Sequence, residues 1–310
     1  MKCKHRSRHS IKQILESVQN GDLESVRKVI ASGFNVNTHD DYHGKTILME
    51  ACYYNHVEIV NFLLTAGVEV NRQDRCGETA IFYATYSGSL EIIQLLIAQG
   101  ADLNILSEEG ENVLMIACIY GHLETVQLLI ANGIDLTTID EALRVVGCYG
   151  HVEIIKLLIL HGGDIHTKDN DGRSTLLIAS GNNQVEVVQY LLSLGLDIHE
   201  KTFDGDNALI CACRNRNANI EMVKLLIATG IDIHARNLYG YTAFLLAAAN
   251  GHLEIVKFLV ESGADLNDKD YQGKNALDHA HQDKHLEVVR YLRQKGVKKS
   301  DDWYKCLFIR

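Results

Sequence analysis

The stretch GHLEIVKFLVESGADLN, residues 251–267, decides the fold, because variants of it recur along almost the whole chain. Its glycine at position 263 belongs to a series whose members stand 29 to 35 residues apart: Gly33, Gly67, Gly100, Gly133, Gly162, Gly195, Gly230, Gly263 and Gly296. Each of these glycines follows an apolar run of helical length, where the chain must turn with a positive φ. A regular period close to 33 residues indicates a stacked array of repeats.

A second glycine series gives the internal plan of each repeat. Its members follow short polar stretches and predict tight turns: Gly44, Gly77, Gly110, Gly172, Gly205, Gly240 and Gly273. After each turn comes a short apolar segment ending in alanine, such as TAFLLA at 242–247, and then a segment such as GHLE at 251–254. Each repeat is therefore predicted to contain one turn and two helices.

These motifs resemble the ankyrin repeat family, whose units combine a turn glycine, T-P-L-H-x-A, G-H-x-E, an apolar helix, a glycine and A-D-x-N. The resemblance implies an all-α solenoid of stacked helix-turn-helix units with short β-hairpin-like turns. It covers residues 11–299, as a truncated first unit followed by eight repeats, with a short repeat at about 137–166. Residues 1–10 are then a basic N-terminal tail, and residues 300–310 are a C-terminal segment or cap.

The chain departs from the family pattern at one helix-start position, because it contains no proline. The family proline is replaced by Ile47, Ala80, Val113, Ala142, Thr175, Ala208, Ala243 and Ala276. Alanine is a strong helix former, so these positions still start helices. The proline-free composition is similar to that of ankyrin proteins from large DNA viruses and some intracellular bacteria.

Composition narrows the class of protein. The net charge is −10, and both termini are basic, so residues 11–289 are more acidic than the whole chain. An acidic body repels phosphate backbones and argues against nucleic-acid binding. No apolar run is long enough to span a bilayer. Eight cysteines without a C-x-x-C pair predict reduced thiols in a cytoplasmic protein. For a protein of a virus or an intracellular bacterium, this would be the host cytoplasm, and the nucleus is the alternative location. We also expect a monomer.

Catalytic and metal-binding motifs are absent from the sequence, which predicts a protein that is not an enzyme and needs no cofactor or metal. His279, His281 and His285 invite a metal-site interpretation. His281 and His285 lie on either side of the predicted inter-helix turn, however, and His285 stands where the family has a structural histidine. The sequence therefore assigns these rings to the fold.

The resemblance implies a protein-binding scaffold, because turn tips and first helices line a concave groove in this family. Tyrosine is a frequent interface anchor, and the variable groove positions are rich in aromatic residues. We predict partner-binding residues at the ends of first helices and at the turn tips: Tyr42, Tyr53, Tyr54, Tyr86, Tyr120, Tyr149, Phe203, Tyr239 and Tyr271. The acidic surroundings favour a basic protein partner. The alternative is that these rings only cover the wall of the groove.

Three further expectations concern single segments. The C-terminal segment SDDWYKCLFIR, residues 300–310, either caps the last repeat or docks a second protein, which would make the chain an adaptor. The resemblance also implies Asn71 and Asn104 as candidates for asparaginyl hydroxylation. The short repeat is predicted to separate two cooperative blocks, at about 11–136 and 167–299.

Overall fold

The computed structural model describes the backbone of residues 2–300 and the side chains of residues 11–300. Within these residues the structure consists of eighteen helices and contains no strand. The helices are α1 Lys2–Gln19, α2 Leu23–Ala31, α3 Ile47–Tyr53, α4 Val57–Thr65, α5 Ala80–Tyr86, α6 Leu90–Ala98, α7 Val113–Tyr120, α8 Leu123–Ala131, α9 Ile139–Tyr149, α10 Val152–Leu160, α11 Thr175–Gly181, α12 Val185–Ser193, α13 Ala208–Arg214, α14 Ile220–Ala228, α15 Ala243–Ala249, α16 Leu253–Glu261, α17 Ala276–Gln282 and α18 Leu286–Gln294. The predicted all-α repeat fold is confirmed.

The helices follow one another in pairs, and the first helices carry the core. Helix α5 packs on α3 and α7, and α13 packs on α11 and α15. The side chains of Phe82 and Phe244, on α5 and α15, are fully buried. Apolar surface removed from water stabilises such an array at roughly 25 cal/mol per Å². The core therefore runs through the first helices from one repeat to the next within each unit.

Side-chain caps start six of the first helices, whereas the side chain of Thr79 at the start of α5 makes no such hydrogen bond. The side chains of Thr46, Asn112, Ser174, Asn207, Thr242 and Asn275 each accept a hydrogen bond from the backbone N–H three residues on. Such a cap satisfies one of the N–H groups that a helix start leaves unpaired and contributes about 1 kcal/mol. Helices of seven or eight residues thus begin at defined positions without proline.

Aspartate side chains organise the turns before the first helices. The carboxylate of Asp270 accepts hydrogen bonds from the backbone N–H groups of Gln272 and Lys274, both at 2.9 Å. Asp74 makes the same contacts with Cys76 and Glu78. An isolated antiparallel bridge joins Lys269 to Asn275, and equivalent bridges join His39 to Thr46 and Lys168 to Ser174. The turns are therefore hairpin-like, although no strand forms in the described residues.

Successive turn tips are joined by backbone hydrogen bonds. In the N-terminal half, Arg75 N–H donates to His43 O at 3.0 Å, and Glu108 N–H donates to Cys76 O at 2.8 Å. In the C-terminal half the same contact joins Phe203 to Asp171, Leu238 to Asp204 and Tyr271 to Tyr239. The tips of consecutive repeats therefore support one another in both halves.

The chain divides into two compact units, unit 1 at Met1–Val145 and unit 2 at Val146–Arg310. The division falls inside α9, which belongs to the short repeat. This helix begins at Ile139, six residues after Gly133, so the repeat enters its first helix without the usual turn. The sequence predicts this deletion correctly, while the proposed boundary between cooperative blocks stays a prediction.

Amide hydrogen exchange is expected to be at least about tenfold faster across residues 137–150 than in α7 and α11. The stability of a repeat array is approximately a sum of terms for each unit and its neighbours, and the short repeat has no turn tip of the kind that bonds to the next. Exchange measured by mass spectrometry on the full chain checks this. Equal protection in all three helices would mean that the array opens as one block.

The two ends of the chain differ in what the structure describes. Residues 2–10, predicted as a basic tail, form the first half of the backbone of α1. Residues 301–310 of the predicted C-terminal segment or cap lie outside the described residues. Ser300 is buried, and its N–H donates to Asp278 Oδ2 at 3.2 Å. This hydrogen bond holds the chain against α17 as far as Ser300.

Candidate functional site

Five tyrosines at the ends of α3 and α7 and along α5 form one continuous set of ring contacts in unit 1. Ring centroids are 5.3 Å apart for Tyr53 and Tyr54, 6.3 Å for Tyr53 and Tyr83, 6.0 Å for Tyr83 and Tyr86, and 5.6 Å for Tyr86 and Tyr120. All four pairs are edge-to-face, which is a favoured geometry worth about 0.5–1.5 kcal/mol per pair. We call these five residues the tyrosine cluster.

The tyrosine cluster presents its outer rings to solvent. Tyr53, Tyr54 and Tyr120 are 51%, 43% and 52% exposed, whereas Tyr83 is buried and Tyr86 is half-buried. Large exposed rings that contact one another form a contiguous surface, which single exposed residues do not. The inner rings hold this surface in place from below.

Hydrogen bonds fix the two inner rings. The hydroxyl of Tyr83 donates to Asp74 Oδ2 at 2.6 Å, and the hydroxyl of Tyr86 donates to the Glu78 carboxylate. Burial, and then the neighbouring carboxylates, raise the pKa of both phenols. Both tyrosines therefore remain protonated donors at neutral pH. The cluster is thus rigid and flanked by negative charge.

A lysine of the chain already lies against the cluster. Lys45 Nζ is 4.7 Å from the ring centroid of Tyr83 and 5.9 Å from that of Tyr53. A cation within about 6 Å of a tyrosine face is attracted by the ring quadrupole. The faces of these tyrosines are therefore accessible to an ammonium group.

The sequence also predicted Tyr42 and Tyr149 as partner-binding residues. Tyr42 lies at a turn tip, is highly exposed, and contacts the ring of His43 at 4.5 Å. Tyr149 is the last residue of α9 and belongs to unit 2, where it is half-exposed. Sequence reasoning missed Tyr83, although its position three residues before Tyr86 on α5 was a usable signal.

The aromatic turn tips of unit 2 form a second exposed surface. Phe203 and Tyr271 are 70% and 72% exposed, and Leu238 and Tyr239 are exposed between them in sequence. A Cβ on Gly240 would lie 2.7 Å from Tyr271 Cδ1, so this ring covers the glycine of the preceding turn. We call these four residues the tip surface. The ring of Tyr271 rests on the neighbouring turn.

The first-helix ends of unit 2 carry charges that are paired within the chain. Asp206 forms an ion pair with Arg214 and accepts a hydrogen bond from Asn237 Nδ2 at 2.8 Å. Lys274 Nζ donates to Gln282 Oε1 at 3.0 Å. In these two repeats of unit 2 the positions that correspond to the tyrosine cluster hold polar pairs, whereas α9 ends in the exposed ring of Tyr149.

The candidate hydroxylation sites join consecutive repeats. The side chain of Asn71 donates to Gly100 O at 2.9 Å and accepts from Asp102 N–H at 2.8 Å. Asn104 accepts from Asp135 N–H at 2.8 Å. Hydroxylation at Asn71 and Asn104 stays a prediction, and each side chain already has a structural partner.

The histidine group at the C-terminal end has a structural explanation. His279 Nε2 and Asp270 Oδ2 are 2.9 Å apart, and both side chains are buried. The ring of His279 also contacts that of Tyr241 at 5.3 Å. Among the described residues, no group of three or more His, Cys, Asp or Glu side chains could hold a metal ion.

Comparison with known proteins identifies the family. The model of the family described as "Ankyrin repeats (3 copies)" matches residues 14–74, 63–140, 143–237 and 217–302. The chain belongs to the ankyrin repeat family. Ankyrin repeats are generally protein–protein interaction modules and are typically not catalytic.

Curated ankyrin repeat proteins match only short parts of this ankyrin repeat chain. The ankyrin repeat domain-containing protein 40 of Mus musculus and that of Homo sapiens are each 35% identical over 57 residues, which is 18% of this chain and 16% of the relative. The putative ankyrin repeat protein YahD of Escherichia coli K12 is 37% identical over 60 residues, which is 19% of this chain and 29% of that protein. These matches therefore support the repeat family only.

Crossing a bilayer requires a helix that is both long and apolar. Within the described part of the chain, none of the helices combines the length and the apolar character needed to cross a bilayer.

Proposed function

We propose that this ankyrin repeat chain is a non-catalytic module that binds a protein partner through the tyrosine cluster of unit 1. The observation that carries the proposal is the uninterrupted set of ring contacts from Tyr54 to Tyr120, of which three rings are about half exposed. Rigid aromatic rings with a polar hydroxyl are the side chains most often found at interface hot spots. The tip surface of unit 2 is a second, smaller contact region.

The partner is a basic protein. Asp74 and Glu78 lie directly behind the cluster, and their carboxylates bond its inner hydroxyls. Complementary charge raises the rate of association and disfavours acidic partners. The binding takes place in the cytoplasm, a reducing compartment, which agrees with six cysteines that are free thiols in the described residues.

The triple variant Tyr53→Ala, Tyr86→Ala and Tyr120→Ala is expected to weaken partner binding by about 2 kcal/mol or more. The partner is first captured on the wild-type chain and identified by mass spectrometry, and its Kd is then measured for both proteins by calorimetry. The matched control is Leu160→Ala with Leu286→Ala, since these are large exposed apolar residues outside the cluster. Unchanged affinity in a folded triple variant would refute the proposal.

The alternative adaptor function depends on residues 300–310, of which the structure describes only Ser300. No contact in the described residues favours it over a cap. A chain that ends at residue 300 separates the two, because loss of a cap lowers the melting temperature, whereas loss of an adaptor segment removes one partner at unchanged stability.

A further inference from the structure

We propose that the rings of Tyr86 and Tyr120 form a binding position for one arginine or lysine side chain of a basic protein segment, with Glu78 and Glu111 as its counterions. The inference rests on the proposed protein-binding function and specifies the chemistry of the partner at one point of the tyrosine cluster. The evidence is the distribution of charge, the burial of the two carboxylates, and the behaviour of Lys45.

The charge around this position is uncompensated in the sequence. Residues 76–143 contain ten aspartate and glutamate residues and no lysine or arginine. The same stretch contains Tyr83, Tyr86 and Tyr120. The segment that contains Tyr86 and Tyr120 therefore contributes formal side-chain charge of one sign only, and such a segment attracts ligands of the opposite sign.

Glu78 and Glu111 are equivalent residues of consecutive repeats, and each directly follows a turn glycine. Glu78 accepts the hydroxyl hydrogen bond of Tyr86, and the charge of Glu111 also acts on that phenol. Both carboxylates are partly buried, and burial raises the pKa of each. Among the described residues neither carboxylate has an ion pair within 4.0 Å, although the charge of Lys45 acts to lower the pKa of Glu78. The charge that acts on Glu111 is that of Glu109, and it raises the pKa of Glu111. A partly buried anion without a counterion is costly, so an incoming cation is stabilised here.

Lys45 shows what occupies the corresponding position one repeat earlier. Lys45 also directly follows a turn glycine, and its ammonium group lies over the rings of Tyr53 and Tyr83. The next two repeats keep the rings, at Tyr86 and Tyr120, but replace the lysine by glutamates. In the described residues no lysine or arginine lies over the rings of Tyr86 and Tyr120, so a cation at these two faces has to come from another molecule.

The equivalent position in unit 2 is already neutralised. Asp206 also follows a turn glycine, and Arg214, eight residues later, forms an ion pair with it. Tyr86 stands at the same eight-residue distance from Glu78. Because this repeat has an arginine where the Glu78 repeat has a tyrosine, the Asp206 position already holds a cation of the chain itself.

The rings and carboxylates at this position of the tyrosine cluster favour a basic segment over an acidic or an apolar one. A guanidinium or ammonium group is attracted to a tyrosine face, and the two carboxylates add charge-assisted hydrogen bonds. An acidic or phosphorylated segment would be repelled by both glutamates. A purely apolar segment would leave the carboxylates desolvated without a partner. The position therefore selects a segment that contains arginine or lysine.

The test uses the full chain and a fluorescein-labelled peptide, (Gly-Arg)₄, with (Gly-Gln)₄ as the neutral peptide. The variant is Glu78→Gln with Glu111→Gln, because glutamine keeps a carbonyl oxygen for the Tyr86 hydroxyl while the charge is removed. The matched control is Glu91→Gln with Glu124→Gln, two exposed glutamates on the second helices of the same repeats. Both variants change the net charge equally.

We expect the arginine peptide to bind the wild-type chain, and the Kd to rise by about tenfold or more in the Glu78/Glu111 variant and by less than about twofold in the control. Glu78→Lys, which places a lysine where the preceding repeat has Lys45, should also abolish the binding. Circular dichroism confirms that each variant is folded.

Two results would overturn the inference. One is equal binding of the arginine and glutamine peptides by the wild-type chain, and the other is an unchanged Kd in the Glu78/Glu111 variant. Neither result affects the proposed function, because that is tested separately on the captured partner with the tyrosine variants. Loss of the partner in the tyrosine triple variant, together with an unchanged Kd in the glutamate variant, would leave an aromatic interface without a cation position.

Discussion

Replacing Phe244 by alanine is expected to lower the free energy of unfolding by about 3–5 kcal/mol. Phe244 is fully buried on α15, which packs against α13 and α17. Removal of the ring leaves a cavity, and the surrounding helices relax only partially. Because each repeat is stabilised by its neighbours, the loss weakens two junctions at once. Urea unfolding followed by circular dichroism measures the change.

The control for this substitution is Phe203→Ala, at an exposed turn tip of the same unit. A surface substitution of this kind usually changes stability by no more than about 0.5 kcal/mol. The two variants remove the same ring, so their difference isolates the effect of burial. Similar losses in both would contradict the assignment of Phe244 to the core.

Replacing Asp270 by alanine is expected to lower the free energy of unfolding by about 2–4 kcal/mol, because a buried group that loses its hydrogen-bond partner costs about 1–3 kcal/mol and a lost cap costs about 1 kcal/mol. The Asp270 carboxylate accepts hydrogen bonds from Gln272 N–H and Lys274 N–H and is bonded to His279 Nε2. The variant leaves the buried His279 ring without that partner and removes the cap of the turn. Thermal and urea unfolding of the full chain measure the loss.

Asp270→Asn is the matched variant, because an asparagine occupies the equivalent turn position at Asn237. The Asn237 side-chain oxygen accepts from Tyr239 N–H at 3.0 Å and Tyr241 N–H at 2.9 Å. Asparagine at position 270 should therefore keep the turn contacts and lose clearly less stability than alanine. A cost below about 1 kcal/mol for the alanine variant would show that the pair contributes little.

The periodicity of the chain was sufficient to predict the helix pairs. The segment TAFLLA at 242–247 predicted a first helix, and the structure places α15 at Ala243–Ala249. The short glycine spacing predicted the short repeat that contains α9. Such predictions succeed because a stacked unit leaves little freedom in where its helices begin.

Side-chain contacts between a turn and the first helix that follows it were beyond the sequence pattern. Tyr83 lies inside an apolar segment, TAIFYA at 79–84, that predicts core, yet its hydroxyl reaches Asp74 nine residues earlier. His279 and Asp270 have the same separation. A repeat period gives the position of each backbone, whereas these contacts depend on which rotamer a long side chain adopts against the preceding turn. The continuity of the tyrosine cluster could therefore be seen only in the structure.

The absence of lysine from residues 46–155 has a consequence for covalent chemistry. No lysine occurs between Lys45 and Lys156, so this part of unit 1 offers no side-chain amine for acetylation, ubiquitin attachment or amine-reactive cross-linkers. Beside the rings of Tyr86 and Tyr120, amine-directed modification of a complex would fall on the partner's lysines, whereas Lys45 of this chain lies at the rings of Tyr53 and Tyr83. A lysine of the partner that is protected from acylation only when the complex forms would thus mark the residue bound by the tyrosine cluster.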